Sequence, residues 1–93
     1  MSDYANQWHQ LLKRWPSQMP KEGVVQTKLN ESVVFISFAL DDHMAVFHRR
    51  APDQMGARQV IIPYESISYL KITAIIPTKI YAEFGFEGTL PNI

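Results

Sequence analysis

The hydrophobic period changes once along this chain, at Gly23, and that change limits the fold more than any other feature. Before it, Tyr4, Trp8, Leu11, Leu12 and Trp15 recur at i, i+4, i+7, i+8 and i+11, which is one stripe of a helix. After it, apolar residues alternate with polar ones, the pattern of strands with one buried face. A helix is expected over residues 3–15, with Ser2 or Asp3 as N-cap and Lys13 and Arg14 at the negative end of the dipole. Pro16 stops it. The segment PSQMPKE, with two prolines, reads as a surface linker.

Five strands follow. GVVQTKL places Val25, Thr27 and Leu29 on one face, and NES supplies a turn. VVFISFAL places Val34, Ile36, Phe38 and Leu40 on one apolar face. Asp41 and Asp42 are turn formers, MAVFHRR is the third strand, and APDQMGA is a loop. RQVIIP and ISYLKIT are two more strands around the corner PYES. AIIPTKIYAEFG reads as a short helix beginning near Pro77, with Gly85 just past its end. The 93 residues are expected to form one domain: an N-terminal helix at 3–15, a β region at 23–73 and a C-terminal extension at 76–93. The run VII at 60–62 has no lysine and only Pro63 to protect it as an edge. The strands are therefore expected to close into a small barrel, to pair with another chain, or both.

Charge and composition narrow the function classes. Nine basic residues balance nine acidic ones, so the overall footprint of a strongly basic nucleic-acid binder is missing and only a local patch remains. With no cysteine there is neither a disulfide framework nor a thiolate metal site, which fits a reducing, cytoplasmic setting. The N-terminal MSDYANQW lacks a signal-peptide apolar core. The run VVFISFAL is far shorter than the roughly 20 residues that span a bilayer, so no membrane partner is expected. His9, His43 and His48 form no ligand pair at helical spacing, and no nucleophile elbow or glycine-rich phosphate loop occurs. No catalytic residue, metal or cofactor is expected, and the chain reads as non-enzymatic. Asp41 and Asp42 are adjacent in a turn, so their carboxylates diverge and are explained by turn chemistry.

Residues 39–47, A-L-D-D-H-M-A-V-F, resemble the first signature of the Sm-like (LSm) proteins. Asp41, His43 and Met44 match it, and Ala45 stands where the family has Asn. Residues 60–70, V-I-I-P-Y-E-S-I-S-Y-L, are similar in register to the second signature. There Val60, Ile62, Ile67, Tyr69 and Leu70 match, while Pro63 and Tyr64 replace an Arg-Gly pair. Phe35 lies at or near a family glycine in the bent second strand. The resemblance covers about residues 3–73. It implies a mainly β fold, a small five-stranded Sm-like (SH3-like) barrel with an N-terminal α-helix, to which this chain adds a short C-terminal helix.

It further implies a homo-oligomeric ring, the fourth strand (58–62) of one copy pairing with the fifth (67–73) of the next. Val60, Ile61, Ile62, Ile67, Tyr69 and Leu70 are the candidate interface. In relatives, two loops at a central pore hold single-stranded RNA, a His or aromatic residue stacking on a base. Stacking on an aromatic plane is worth roughly 1–3 kcal/mol per base. The corresponding candidates here are Asp41, whose family role is mostly to fix the loop, His43 and Tyr64, joined by Arg49 and Arg50 of the one basic cluster, which also holds His48 and Arg58. Against each stands a plainer reading. His43 is then a solvated turn residue, Tyr64 buries its ring with a wet hydroxyl, and the arginines solvate a hairpin end. Ala45, Pro63 and Tyr64 also motivate a second functional expectation, a structural or protein-interaction ring that has lost RNA binding.

Overall fold

The computed structural model describes residues 3–91. Helix α1 spans Asp3–Lys13, and two further turn bonds, from the N–H of Arg14 and of Trp15, carry the coil to Pro16. Ser2, one of the two expected N-caps, lies outside the described residues. The inner face of α1 is buried Ala5 and Leu12, with Trp8, His9 and Leu11 half-buried beside them. Of the expected stripe, Trp8, Leu11, Leu12 and Trp15 face inward and only Tyr4 is left largely exposed. The 16–22 segment is not a free linker. Met19 is buried, and its carbonyl accepts a hydrogen bond from Trp15 Nε1 at 3.2 Å.

Six strands follow rather than five: β1 Gly23–Thr27, β2 Ser32–Phe35, β3 Ser37–Leu40, β4 Met44–His48, β5 Gln59–Pro63 and β6 Ile67–Ile72. They form two separate three-stranded antiparallel sheets, in the orders β2-β1-β6 and β3-β4-β5. This corrects the five-stranded Sm-like barrel: no barrel closes among the described residues. The reason lies at Ile36. The expected continuous strand 33–40 breaks there, and the break reverses which side chains face inward. Val33 and Phe35 are buried before it and Phe38 after it, while Val34 is half-exposed. One extra residue in a strand is a bulge, and a bulge shifts a period-two pattern by one. Ile36 still bonds through its N–H to the His48 carbonyl at 2.9 Å, so the chain leaves one sheet and joins the other at a single residue.

Gly23 is placed opposite Phe35, next to this corner. A Cβ on Gly23 would collide with the Lys71 carbonyl and press on the Phe35 ring, so the close approach needs glycine there. β1 ends at Thr27, not Leu29. Asn30 takes a positive φ of 64° in the turn, and Leu29 is exposed.

The inner faces of both sheets share one core. Phe35, Phe38 and Phe47 meet at ring separations of 4.9–5.9 Å. Each fully buried ring of this kind stabilises the fold by about 1.5–3 kcal/mol. Trp15 lies edge-on to Phe38 at 5.2 Å and to Phe84 at 5.6 Å, closing the core from the helix side. Phe84 belongs to a 3-10 helix over Thr78–Phe84, which starts after Pro77 and stops at Gly85 with φ 96°. Ile80 and Phe84 are buried, so the extension packs on its own chain. No helix among the described residues is long and apolar enough to cross a membrane.

Candidate functional site

The turn from β3 to β4 is built by Asp41. One of its carboxylate oxygens accepts the backbone N–H of His43 at 2.8 Å and of Met44 at 2.7 Å. The first of these bonds, then the second, holds the Asp41 carboxyl below the usual carboxylate range. Tyr64 opens the one-turn 3-10 helix Tyr64–Ser66 that carries the chain from β5 to β6. Its N–H donates to the His43 carbonyl at 3.1 Å, and its hydroxyl donates to the Asp41 carbonyl at 2.7 Å. Two bonds therefore join the two motif-bearing corners into one unit.

The Tyr64 ring is buried and stacks on His9 of α1, with centroids 4.9 Å apart and planes within 14°. Burial raises its phenol above the usual value, and the carboxylates of Asp41 and Asp42 add to the shift. The ring faces inward, and its hydroxyl is bonded to backbone rather than wet. In the sequence His9 registers only as a non-ligand, because it lies beside the apolar stripe rather than on it. The spacing Ala5, His9, Leu12 carries the signal, but a histidine weakens it. Ala45 is also buried, opposite Leu40 and Ile62. Position 45 points into the core, and a small side chain there serves packing.

A cleft of about 400 Å³ opens beside this unit. Asn6, His9, Asp42, His43, Tyr64 and Glu65 contribute to its walls, and no Lys or Arg does. Two carboxylates and no fixed cation make it a poor seat for phosphate. His43 is exposed at its mouth. No group of three or more His, Cys, Asp or Glu suited to a metal ion occurs among the described residues.

Arg49 and Arg50 stand at the opposite end of β4, about 16 Å away for five residues of strand. The structure thus brings Asp41, His43 and Tyr64 together and leaves both arginines apart from them. Arg49 Nε donates to the Ala51 carbonyl at 3.2 Å, and Arg50 pairs with Glu22 at 3.5 Å on the surface. The loop beyond them is shaped by Asp53, which accepts the N–H groups of Met55 and Ala57 at 2.8 Å.

The candidate interface residues lie on two strands, β5 and β6, each the last in its sheet. Neither strand has a partner on its outer side among the described residues. Ile62 and Ile67 are core residues, Val60 and Leu70 are half-buried, and Ile61 and Tyr69 are 64% and 45% exposed. Comparison with known proteins finds no matching family model, no similar curated protein and no similar solved structure.

Proposed function

We propose that the chain is a non-enzymatic assembly module whose copies join edge to edge, β5 of one against β6 of the next, and that the resulting homo-oligomer works through protein contacts. One observation carries this reading: among the described residues β5 and β6 each end a sheet, as β2 and β3 do at the other ends, and both present exposed apolar side chains, Ile61 and Tyr69. Such edges invite pairing with another chain. Because the two edges differ, the contact is heterologous, and repeated copies close into a ring when the rotation permits. A protein-directed role is favoured over nucleic acid by the acidic lining of the cleft, by the inward-facing Tyr64 and by Ala45 in the core.

A second reading places single-stranded RNA at the other end of β4. Its support is Arg49, Arg50 and Arg58 there, which a ring would repeat in every copy. One preparation separates the two. Light scattering should return an integer multiple of the chain mass, and the absorbance at 280 nm should exceed that at 260 nm. A monomer at high micromolar concentration removes the assembly reading. Carried-over nucleic acid that is lost steeply with salt favours the second one.

A further inference from the structure

We infer that the groove between α1, β6 and the 78–84 helix is the seat of Ile61 from a neighbouring copy, so that the C-terminal extension forms a wall of the subunit contact. The inference rests on the edge-pairing reading above and adds its register, its facing and its anchor.

The hydrogen bonds inside each sheet fix which peptide groups face the open edges. Arg49 N–H donates to the Arg58 carbonyl at 2.9 Å and Tyr64 N–H to the His43 carbonyl at 3.1 Å. Bonding alternates along a strand, so Val60 and Ile62 turn toward β4. Gln59 and Ile61 then turn their N–H and C=O groups outward, and Pro63 offers a carbonyl but no N–H. On the other sheet, Thr27 N–H bonds to the Glu31 carbonyl on the β2 side. Val24 and Gln26 therefore bond toward β6, opposite Lys71 and Tyr69. That leaves Leu70 and Ile72 turned to the open edge.

Every strand pair within the chain is antiparallel, the more stable arrangement per residue. In such a ladder, residues that exchange bonds sit directly opposite, with side chains on the same face. Ile61 opposite Leu70, with Gln59 opposite Ile72, uses the outward donors and acceptors of both edges. A slide of two residues would set Pro63, without an N–H, against Leu70 in one direction, and Ile61 against polar, exposed Ser68 in the other.

Facing follows from the same rule. Leu70 and Ile72 pack against the core of their own chain. Ile61 points away from its own core, between half-buried Val60 and buried Ile62. Pairing therefore delivers the neighbour's Ile61 to the core side of β6. A groove of about 200 Å³ lies there, lined by Trp8, Leu11, Leu70, Ile72, Tyr81 and Phe86 among others. On the other face, Ile62 comes opposite Tyr69, whose exposed ring covers it, and Val60 comes opposite the stem of Lys71. The Lys71 ammonium already rests over the Tyr69 ring at 5.8 Å. Each exposed apolar group on the two edges gains a partner, and no charge is buried. The occupant is a second copy because its β5 both completes the open edge of β6 and carries an apolar side chain at the height of the groove.

The chain has no cysteine, so cross-linking has a silent background. Val60→Cys with Lys71→Cys occupies a non-bonded pair of the proposed ladder, with Cα atoms about 4.5 Å apart and within disulfide reach. Mild oxidation should give a ladder of covalent multimers on a non-reducing gel. Ile61→Asp should reduce the assembly to monomers with an unchanged circular dichroism spectrum, while Ile61→Met should stay assembled. Phe86→Ala should raise the dissociation constant by roughly tenfold. A wild-type monomer sinks the assembly reading and this inference together. An assembled wild type whose double-cysteine form gives no ladder, or whose Ile61→Asp form stays assembled, overturns the groove assignment and leaves assembly standing.

Discussion

The turns at the two ends of β4 use the same local chemistry and are anchored differently. At one end Asp41 accepts two backbone N–H groups, from His43 and Met44. At the other Asp53 accepts two, from Met55 and Ala57. Both carboxyls are exposed, and both are held below the usual carboxylate range by those bonds. Beyond that the ends diverge. The Asp41 turn is tied through Tyr64 to the core and, by the stacked His9, to α1. The Asp53 turn touches little: Gly56 faces open space and Met55 is almost fully exposed. An aspartate is enough to shape a turn, but a buried side chain is needed to make it part of the fold.

The comparison breaks most visibly at Tyr64. Tyr64→Ala removes a fully buried ring and should destabilise the chain by about 3–5 kcal/mol, read by denaturant unfolding. Tyr64→Phe keeps the ring and deletes the bond to Asp41, so its cost should be about 0.5–1.5 kcal/mol. A Phe variant as damaged as the Ala variant would place the stabilisation in the hydroxyl rather than in ring packing.

Acid sharpens the same contrast. The folded Asp41 and Asp53 have lowered pKa values, so their contribution is complete above the ordinary aspartate value of 3.8 and is lost as pH falls through the lower folded values. In an NMR titration from pH 7 to 2, protonation of Asp41 should move the resonances of His43, Met44 and Tyr64 together. Protonation of Asp53 should move only those of its own loop. Synchronous movement of Tyr64 with the Asp53 loop would contradict separate anchoring. The smallest effect belongs to Arg50→Ala. Its ion pair with Glu22 is solvent-exposed on both sides, and the thermal midpoint should shift by no more than about 0.5 kcal/mol of equivalent stability.

The sequence made the turns legible. Aspartate-led turns, the stop at Pro16, the left-handed Gly85 and the start after Pro77 all follow from local backbone preferences, which act within a few residues. The candidate site was legible in part. Asp41 and His43 are where their spacing places them, and Tyr64 reaches them only because β5 returns beside β4. The separation of Arg49 and Arg50 from that cluster was also readable, since β4 lies between them, but the resemblance grouped the two ends.

What the sequence by itself determined is the kind of each element: one helix, then short antiparallel strands, then a capped tail. What only the tertiary structure decided is phase. Alternation in VVFISFAL reports that half the residues face inward, but not which half, and the corner at the single residue Ile36 changes the answer midway. On α1 the inner face takes in half-buried His9 beside the apolar stripe, because its ring stacks on Tyr64. Periodicity is a local property of the chain. Phase is settled by whichever face finds a partner, here the second sheet for Val33 and Phe35 and the Tyr64 ring for His9.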